Sequence, residues 1–217
     1  VNNIFIDLEG LGTQPGSAVT EIGAVAFDLE SGALGSQFQC HVRPMPPFTA
    51  DLETLTWHRT KGTEVETAKP GALTPREAVL KFLDWLDDRV AGPADARVFW
   101  SWGATYDFPM LEPLLDLRNP EDAHPWKYWQ IRDARTVWKL AFGELRHPDR
   151  PHRAIDDAIA GITDLRKALY TLNWGPREML VASTAALRSY QFGNASTALA
   201  EEVADANERL LGGKEAA

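Results

Sequence analysis

Short apolar-rich runs bounded by turn residues mark three strands near the start of the chain, at about residues 3–9, 20–28 and 36–43. The last two are joined through Asp28 to Gly35, so they read as a hairpin. After Pro75 the period changes. Val79, Phe82, Leu83 and Leu86 fall on one face of a helix running from Arg76 to about Val90. The pattern then predicts a strand from Ala96 to Ser101 and a helix from about Phe108 to Leu117, with Asp107 at their junction. Shorter helices are expected over 133–142 and 154–171, the second carrying Ile155, Ile159, Ile162 and Leu169 at helical spacing. Further on, Pro176 to Tyr190 and Ser196 to Leu211 are helix-rich in composition and are separated by Gly193-Asn194. These elements predict an α/β fold, a mixed sheet flanked by helices over residues 1–174, with a helical extension over 175–217 that packs on the core or pairs two protomers.

The first strand ends in Asp7-Leu8-Glu9. Residues i and i+2 of a strand point to one face, so two carboxylates can aim at one spot, as hard cations such as Mg²⁺ and Mn²⁺ require. The tripeptide alone is weak evidence, because it occurs three times. Asp28-Leu29-Glu30 precedes Ser31-Gly32 and reads as a turn. Asp51-Leu52-Glu53 precedes Thr54-Leu55-Thr56 and reads as the start of a short helix. Only the first copy closes an apolar run, Ile4-Phe5-Ile6.

Two further stretches carry matching chemistry. Asp107 closes Gly103-Ala104-Thr105-Tyr106-Asp107, and His152 alone among five histidines has an aspartate, Asp157, five positions later. Asp156 and Asp157 stand near the start of the 154–171 helix, where acidic side chains complement its positive end; one of them serves there and the other is free for chemistry. Four carboxylates and one imidazole from distant segments are what two divalent cations and a general base need for phosphodiester hydrolysis.

With these blocks in order, the chain resembles the DnaQ-like 3′–5′ exonucleases of the DEDDh group. It is similar above all to phage exodeoxyribonuclease VIII-like proteins and to mycobacterial-type exoribonucleases. The resemblance covers about residues 3–172. It rests on Ile4 to Glu9, Gly12 to Gly16, Glu21 to Val25, Trp57, Gly103 to Asp107, Pro125 to Trp129, Arg132 to Thr136 and His152 to Asp157. It implies an RNase H-like sheet, metal ligation by Asp7, Glu9, Asp107 and Asp157 with Asp7 shared between two ions (Mg²⁺ or Mn²⁺), His152 as general base, and release of nucleoside 5′-monophosphates from the 3′ ends of single strands. DNA is slightly favoured over RNA as the substrate. Substrate contacts are expected from Gly10, Leu11, Trp57, Trp102, Arg132 and Arg135. Gly10 stands where relatives usually have threonine, which removes a hydroxyl beside the terminal ribose, and Trp102 and Thr105 replace asparagines common in the phage relatives.

Composition sharpens the picture. A chain of 217 residues with 44% hydrophobic content can bury one sizeable core, and one cysteine suits a reducing cytoplasm. No apolar run approaches the ~20 residues needed to span a bilayer, and no signal-peptide pattern opens the sequence. The net charge of −9 argues against a long duplex footprint, but it is compatible with gripping a few nucleotides at a strand end. Residues 127–153 run against this balance, with seven Lys and Arg against three acidic side chains, a basic approach leading to His152. Eight tryptophans imply that most are core; Trp57, then Trp102, are the first candidates for stacking on a base.

Two alternatives belong to other classes. A catalytically silent module that binds nucleic-acid ends would keep the fold and the basic approach but lose a ligand. A structural or oligomerisation protein would use the same acidic residues as helix caps and turns. A two-metal site should raise thermal stability on addition of divalent cations, whereas a scaffold should not respond.

Overall fold

The first strand, β1 (Asn3–Gly10), divides its side chains between two environments. Ile4, Ile6 and Leu8 enter the main hydrophobic cluster, while Phe5, Asp7 and Glu9 take the opposite face by the two-residue period of a strand. β2 (Val19–Phe27) pairs antiparallel with β1, placing Asp7 opposite Gly23 and Glu9 opposite Glu21. The connection to β3 (Leu34–His41) is a turn closed by Asp28, whose Oδ1 accepts from the Ser31 amide at 2.7 Å and its hydroxyl at 2.6 Å. The second Asp-Leu-Glu copy is therefore a turn device.

The coordinates are a computed structural model that describes residues 2–61, 69–119, 123–144 and 152–191, with side chains to residue 172. α1 (Leu52–Lys61) follows Asp51, whose side chain caps it by accepting from the Thr54 amide at 2.6 Å. α2 (Pro75–Arg89) begins with a capping box in which Thr74 and Glu77 each accept the other's backbone N–H, and Pro75 takes the first helical position. Its Val79, Phe82 and Leu86 are fully buried on the even face of β1 and β2. Each such side chain contributes about 1.5–3 kcal/mol by leaving water.

β4 (Val98–Ser101) runs parallel to β1, and β5 (Ile131–Asp133) runs parallel to β4, giving the mixed order β3-β2-β1-β4-β5. At three residues, β5 is too short to show a period, so the pattern did not reveal it. α3 (Ala104–Leu115) starts four residues before the helix expected at Phe108, which puts Asp107 inside its first turn. The reason lies elsewhere in the chain. Asp133 Oδ2 accepts from the Ala104 amide at 2.8 Å, while its Oδ1 accepts from Thr136 and caps α4 (Ala134–Phe142). A cap supplied from 29 residues away has no local signature.

α5 (Ala154–Gln191) opens where expected and continues past residue 171. The chain divides into two compact units, Val1–Arg166 and Lys167–Ala217. The second expected C-terminal helix, from Ser196, lies outside the described residues. Among the described residues, no helix is long and apolar enough to cross a membrane.

Candidate active site

Gly23 decides how α5 meets the sheet. A Cβ on Gly23 would lie 2.3 Å from the Ala154 carbonyl carbon and 2.5 Å from the Ile155 amide nitrogen, so backbone touches backbone here. Because Gly23 pairs with Asp7, this contact brings the first turn of α5 to the strand position that carries the first carboxylate. The two adjacent aspartates of that turn then separate. Asp156 faces outward in an ion pair with Arg153 at 3.3 Å, whereas Asp157 is buried.

Asp7, Glu9, Asp107, His152 and Asp157 all line one cavity of about 530 Å³. Within it, ligand atoms of Glu9, His152 and Asp157 lie within 4.8 Å of one another. Asp107 is 4% exposed and reaches the end of β1 from the first turn of α3. His152 takes φ 52°, a left-handed conformation that a histidine adopts at a cost, and the edge-on ring of Trp57 lies against its imidazole at 4.8 Å.

The electrostatics of this cluster are unbalanced. Asp7, Glu9, Asp51, Glu53, Asp107 and Asp157 line the cavity, and Arg135 is the only described Lys or Arg among its walls. Burial, then the charges of Asp157, Glu21 and Asp107, push Glu9 up to about 8. Burial also raises Asp107, opposed by hydrogen bonds from Ser101 and the Leu8 backbone and by the charge of Arg135. Glu21, itself buried, is held by Gln39 at 2.6 Å and lies 3.9 Å from His41. An all-oxygen donor set with one nearby imidazole and an excess of negative charge fits hard divalent cations.

This arrangement predicts how stability should respond to pH. The folded state raises the Glu9 pKa, so its contribution is complete below the unfolded value of about 4.5 and is lost as pH rises through about 8. Without divalent cations, the melting temperature should fall between pH 5 and pH 8.5. A divalent cation held here would bind the ionised carboxylates, so a rise caused by millimolar Mg²⁺ should be larger at pH 8 than at pH 5, by several degrees at about 2–4 °C per kcal/mol. Thermal melts with and without Mg²⁺ check this, and an equal rise at both pH values would contradict it.

The expected substrate contacts divide. Gly10, Trp57, Trp102 and Arg135 line the cavity. Trp57 is 39% exposed and can offer a ring face, but Trp102 is only 6% exposed and packs at 6.0 Å from Trp138, which leaves little face for a base. Leu11 and Arg132 are not in the wall. Leu11 is buried, and its carbonyl accepts from the Asp51 amide at 2.8 Å, making it a strut for α1. Arg132 is exposed on β5, where its guanidinium donates to the carbonyls of Trp129 and Ile131. Of the basic approach, Arg146 and Arg150 lie outside the described residues, and among the described ones only Arg135 reaches the cavity.

Sequence reasoning did not select Asp51, Glu53, Tyr106 or His58, which also line the cavity. The loop before α1 brings the first two there through Leu11 N–H to Ala18 and Asp51 N–H to Leu11. The His58 Nε2–H donates to the Gly10 carbonyl at 3.1 Å. The Tyr106 hydroxyl, which donates to the Gly12 carbonyl at 3.3 Å, stands 3.5 Å from where a Cβ on Gly10 would lie. A hydroxyl is therefore present beside Gly10, supplied by another element. The only available signal was proximity in sequence to Trp57 and Asp107.

A family model described as the 3′–5′ exoribonuclease Rv2179c-like domain matches residues 2–168. No curated protein matches the chain in sequence. Among solved structures, the chain is similar to Exonuclease X in complex with 5′ overhanging duplex DNA, at 15% identity and a TM-score of 0.52 over 78% of this chain and 92% of that one. It is also similar to E. coli Exonuclease I in complex with a 5cy-dT13 oligonucleotide, at 13% identity and a TM-score of 0.59. That match covers 84% of this chain and 43% of Exonuclease I, so the chain spans less than half of that relative. At such identities the likeness carries the fold.

Proposed function

The chain belongs to the Rv2179c-like 3′–5′ exoribonuclease domain family, and from that premise we propose that residues 1–174 form a metal-dependent domain that shortens single strands from their 3′ ends. The observation that carries the reading is the convergence of Asp7, Glu9, Asp107, Asp157 and His152 on one cavity from β1, α3 and the start of α5. The family description favours RNA over the DNA toward which the sequence reading leaned.

Asp7, Glu9, Asp107 and Asp157 would hold two divalent cations, Mg²⁺ or Mn²⁺, which supply Lewis acidity at the scissile phosphate and at the departing 3′-oxygen. The His152 imidazole accepts the proton of the attacking water. The new P–O bond forms as the bond from phosphorus to the 3′-oxygen of the preceding nucleotide breaks, so the phosphate leaves on the 5′ side of the released nucleoside. The Arg135 guanidinium, beside Asp107, offsets phosphate charge, and the exposed face of Trp57 stacks on the terminal base. A silent end-binding module would lack at least one of the five functional side chains, and all five are present.

The test uses 5′-labelled single-stranded RNA and DNA of one sequence with Mg²⁺ or Mn²⁺. A ladder of shortening products, ending in nucleoside 5′-monophosphates and abolished by EDTA, is expected. Faster shortening of the RNA is expected under matched conditions. Activity that survives full chelation, or cleavage of circular strands at a comparable rate, would overturn the reading.

A further inference from the structure

The block Pro125-Trp126-Lys127-Tyr128-Trp129 is not used by the catalytic cavity, and the structure splits its aromatic residues. Trp126 is core: it packs edge-on against Phe99 at 5.3 Å and Phe108 at 5.0 Å, and its indole N–H donates to Glu112. Tyr128 is 85% exposed and Trp129 57%, with their rings edge-on at 4.9 Å. Both sit on a single helical turn, Tyr128–Gln130.

That turn is anchored at both ends. Gln130 is buried, and its side-chain amide donates to the carbonyls of Ala94 at 2.8 Å and Arg97 at 2.9 Å while its Oε1 accepts from the Lys127 amide at 2.8 Å. A fixed turn that exposes a tyrosine and a tryptophan holds apolar ring faces in water with no core to cover them, and such a surface marks an interaction site. Two cations flank it, and one exposed carboxylate, Asp95, stands on the neighbouring turn whose carbonyl Gln130 also meets. Lys127 and Arg132 are exposed beside it, and the Arg132 guanidinium is bonded to the Trp129 carbonyl. The acidic neighbour Asp133 has both oxygens engaged by backbone amides.

The turn lies at the start of β5, the edge strand, and the cavity residue Arg135 lies just past its end. Six residue steps lead from Trp129 to Arg135, so the two are at most about 22 Å apart along the edge. A stacked strand rising about 3.4 Å per nucleotide covers that distance in roughly six nucleotides. We propose that Tyr128 and Trp129 form a stacking platform for the single strand upstream of the 3′ end, with Arg132 and Lys127 meeting its phosphates. Aromatic faces and cations interleaved along a sheet edge suit single-stranded nucleic acid, because every base has a ring face and stacking changes affinity by roughly 5- to 150-fold per base. This proposal rests on the exonuclease reading for the direction of the strand.

The test compares the wild type with the double variant Tyr128→Ala/Trp129→Ala on RNA 3-mers and 12-mers. Both side chains are exposed, so the fold should survive. For the 12-mer, KM should rise at least tenfold with kcat unchanged; for the 3-mer, shorter than the roughly six nucleotides of that span, both should be unchanged. Tyr128→Phe/Trp129→Phe should restore the 12-mer KM. Anisotropy of the labelled 12-mer in EDTA gives a readout independent of turnover. If no strand is hydrolysed but the wild type binds the 12-mer tenfold more tightly than the alanine variant, the platform stands and the exonuclease reading falls. Normal hydrolysis with an unchanged 12-mer KM, or an equal KM rise for both lengths, would overturn the platform. So would sedimentation showing a wild-type dimer that the alanine variant dissolves with KM unchanged, which would assign the patch to a second copy of the chain.

Discussion

Asp7→Asn and Glu9→Gln should each lower turnover by roughly 10³-fold or more with the fold intact. Removing one carboxylate from a divalent-cation site loses several kcal/mol of charge stabilisation in the transition state, and each 1.4 kcal/mol is about tenfold in rate. The matched control is the Asp28 copy. Asp28→Asn should cost a little stability, since its hydrogen bonds to Ser31 close the hairpin and hold its carboxyl below the usual range, but turnover should stay within a few-fold. Asp51 and Glu53 are not suitable controls, because the loop into α1 and its first turn carry them into the cavity wall. Single-turnover rates alongside melting temperatures separate the two effects. A large catalytic loss at Asp28 in a folded protein, or near-normal turnover for Asp7→Asn, would mean that the wrong pair had been assigned.

His152→Ala should reduce turnover by about 10²–10⁴-fold, the usual contribution of a positioned general base. Metal-dependent stabilisation and 12-mer affinity should change little. A general base acts only in its unprotonated form, so the wild-type rate should climb with pH and the variant should lose that dependence. Trp57→Ala offers a related comparison, because it removes the ring that packs at right angles to His152 at 4.8 Å. Equal rates for wild type and His152→Ala from pH 6 to pH 9 would remove His152 from the chemistry.

Much of the fold was legible because its signals are local. The strand period in β1 sends Ile4, Ile6 and Leu8 to the core and leaves Asp7 and Glu9 together on the other face. The helical period after Pro75 marks α2 to within a residue at each end. Candidate site residues stood out where their type was rare in context, as with the single histidine followed at five positions by an aspartate.

What the sequence by itself determined is therefore the longer elements, the faces that β1 and α2 bury, and the five side chains proposed for hydrolysis, since these are marked by periodicities and residue patterns spanning a few positions. Only the tertiary structure decided where those side chains meet. Asp133 starts α3 early and so turns Asp107 into the cavity, and Gly23 admits the α5 backbone beside Asp7. The loop ahead of α1 adds Asp51 and Glu53 to the wall, and packing buries Trp102 while leaving Tyr128 and Trp129 in water. Each of these outcomes depends on contacts between segments tens of residues apart, whose closeness is a property of the packed chain and leaves no pattern along it.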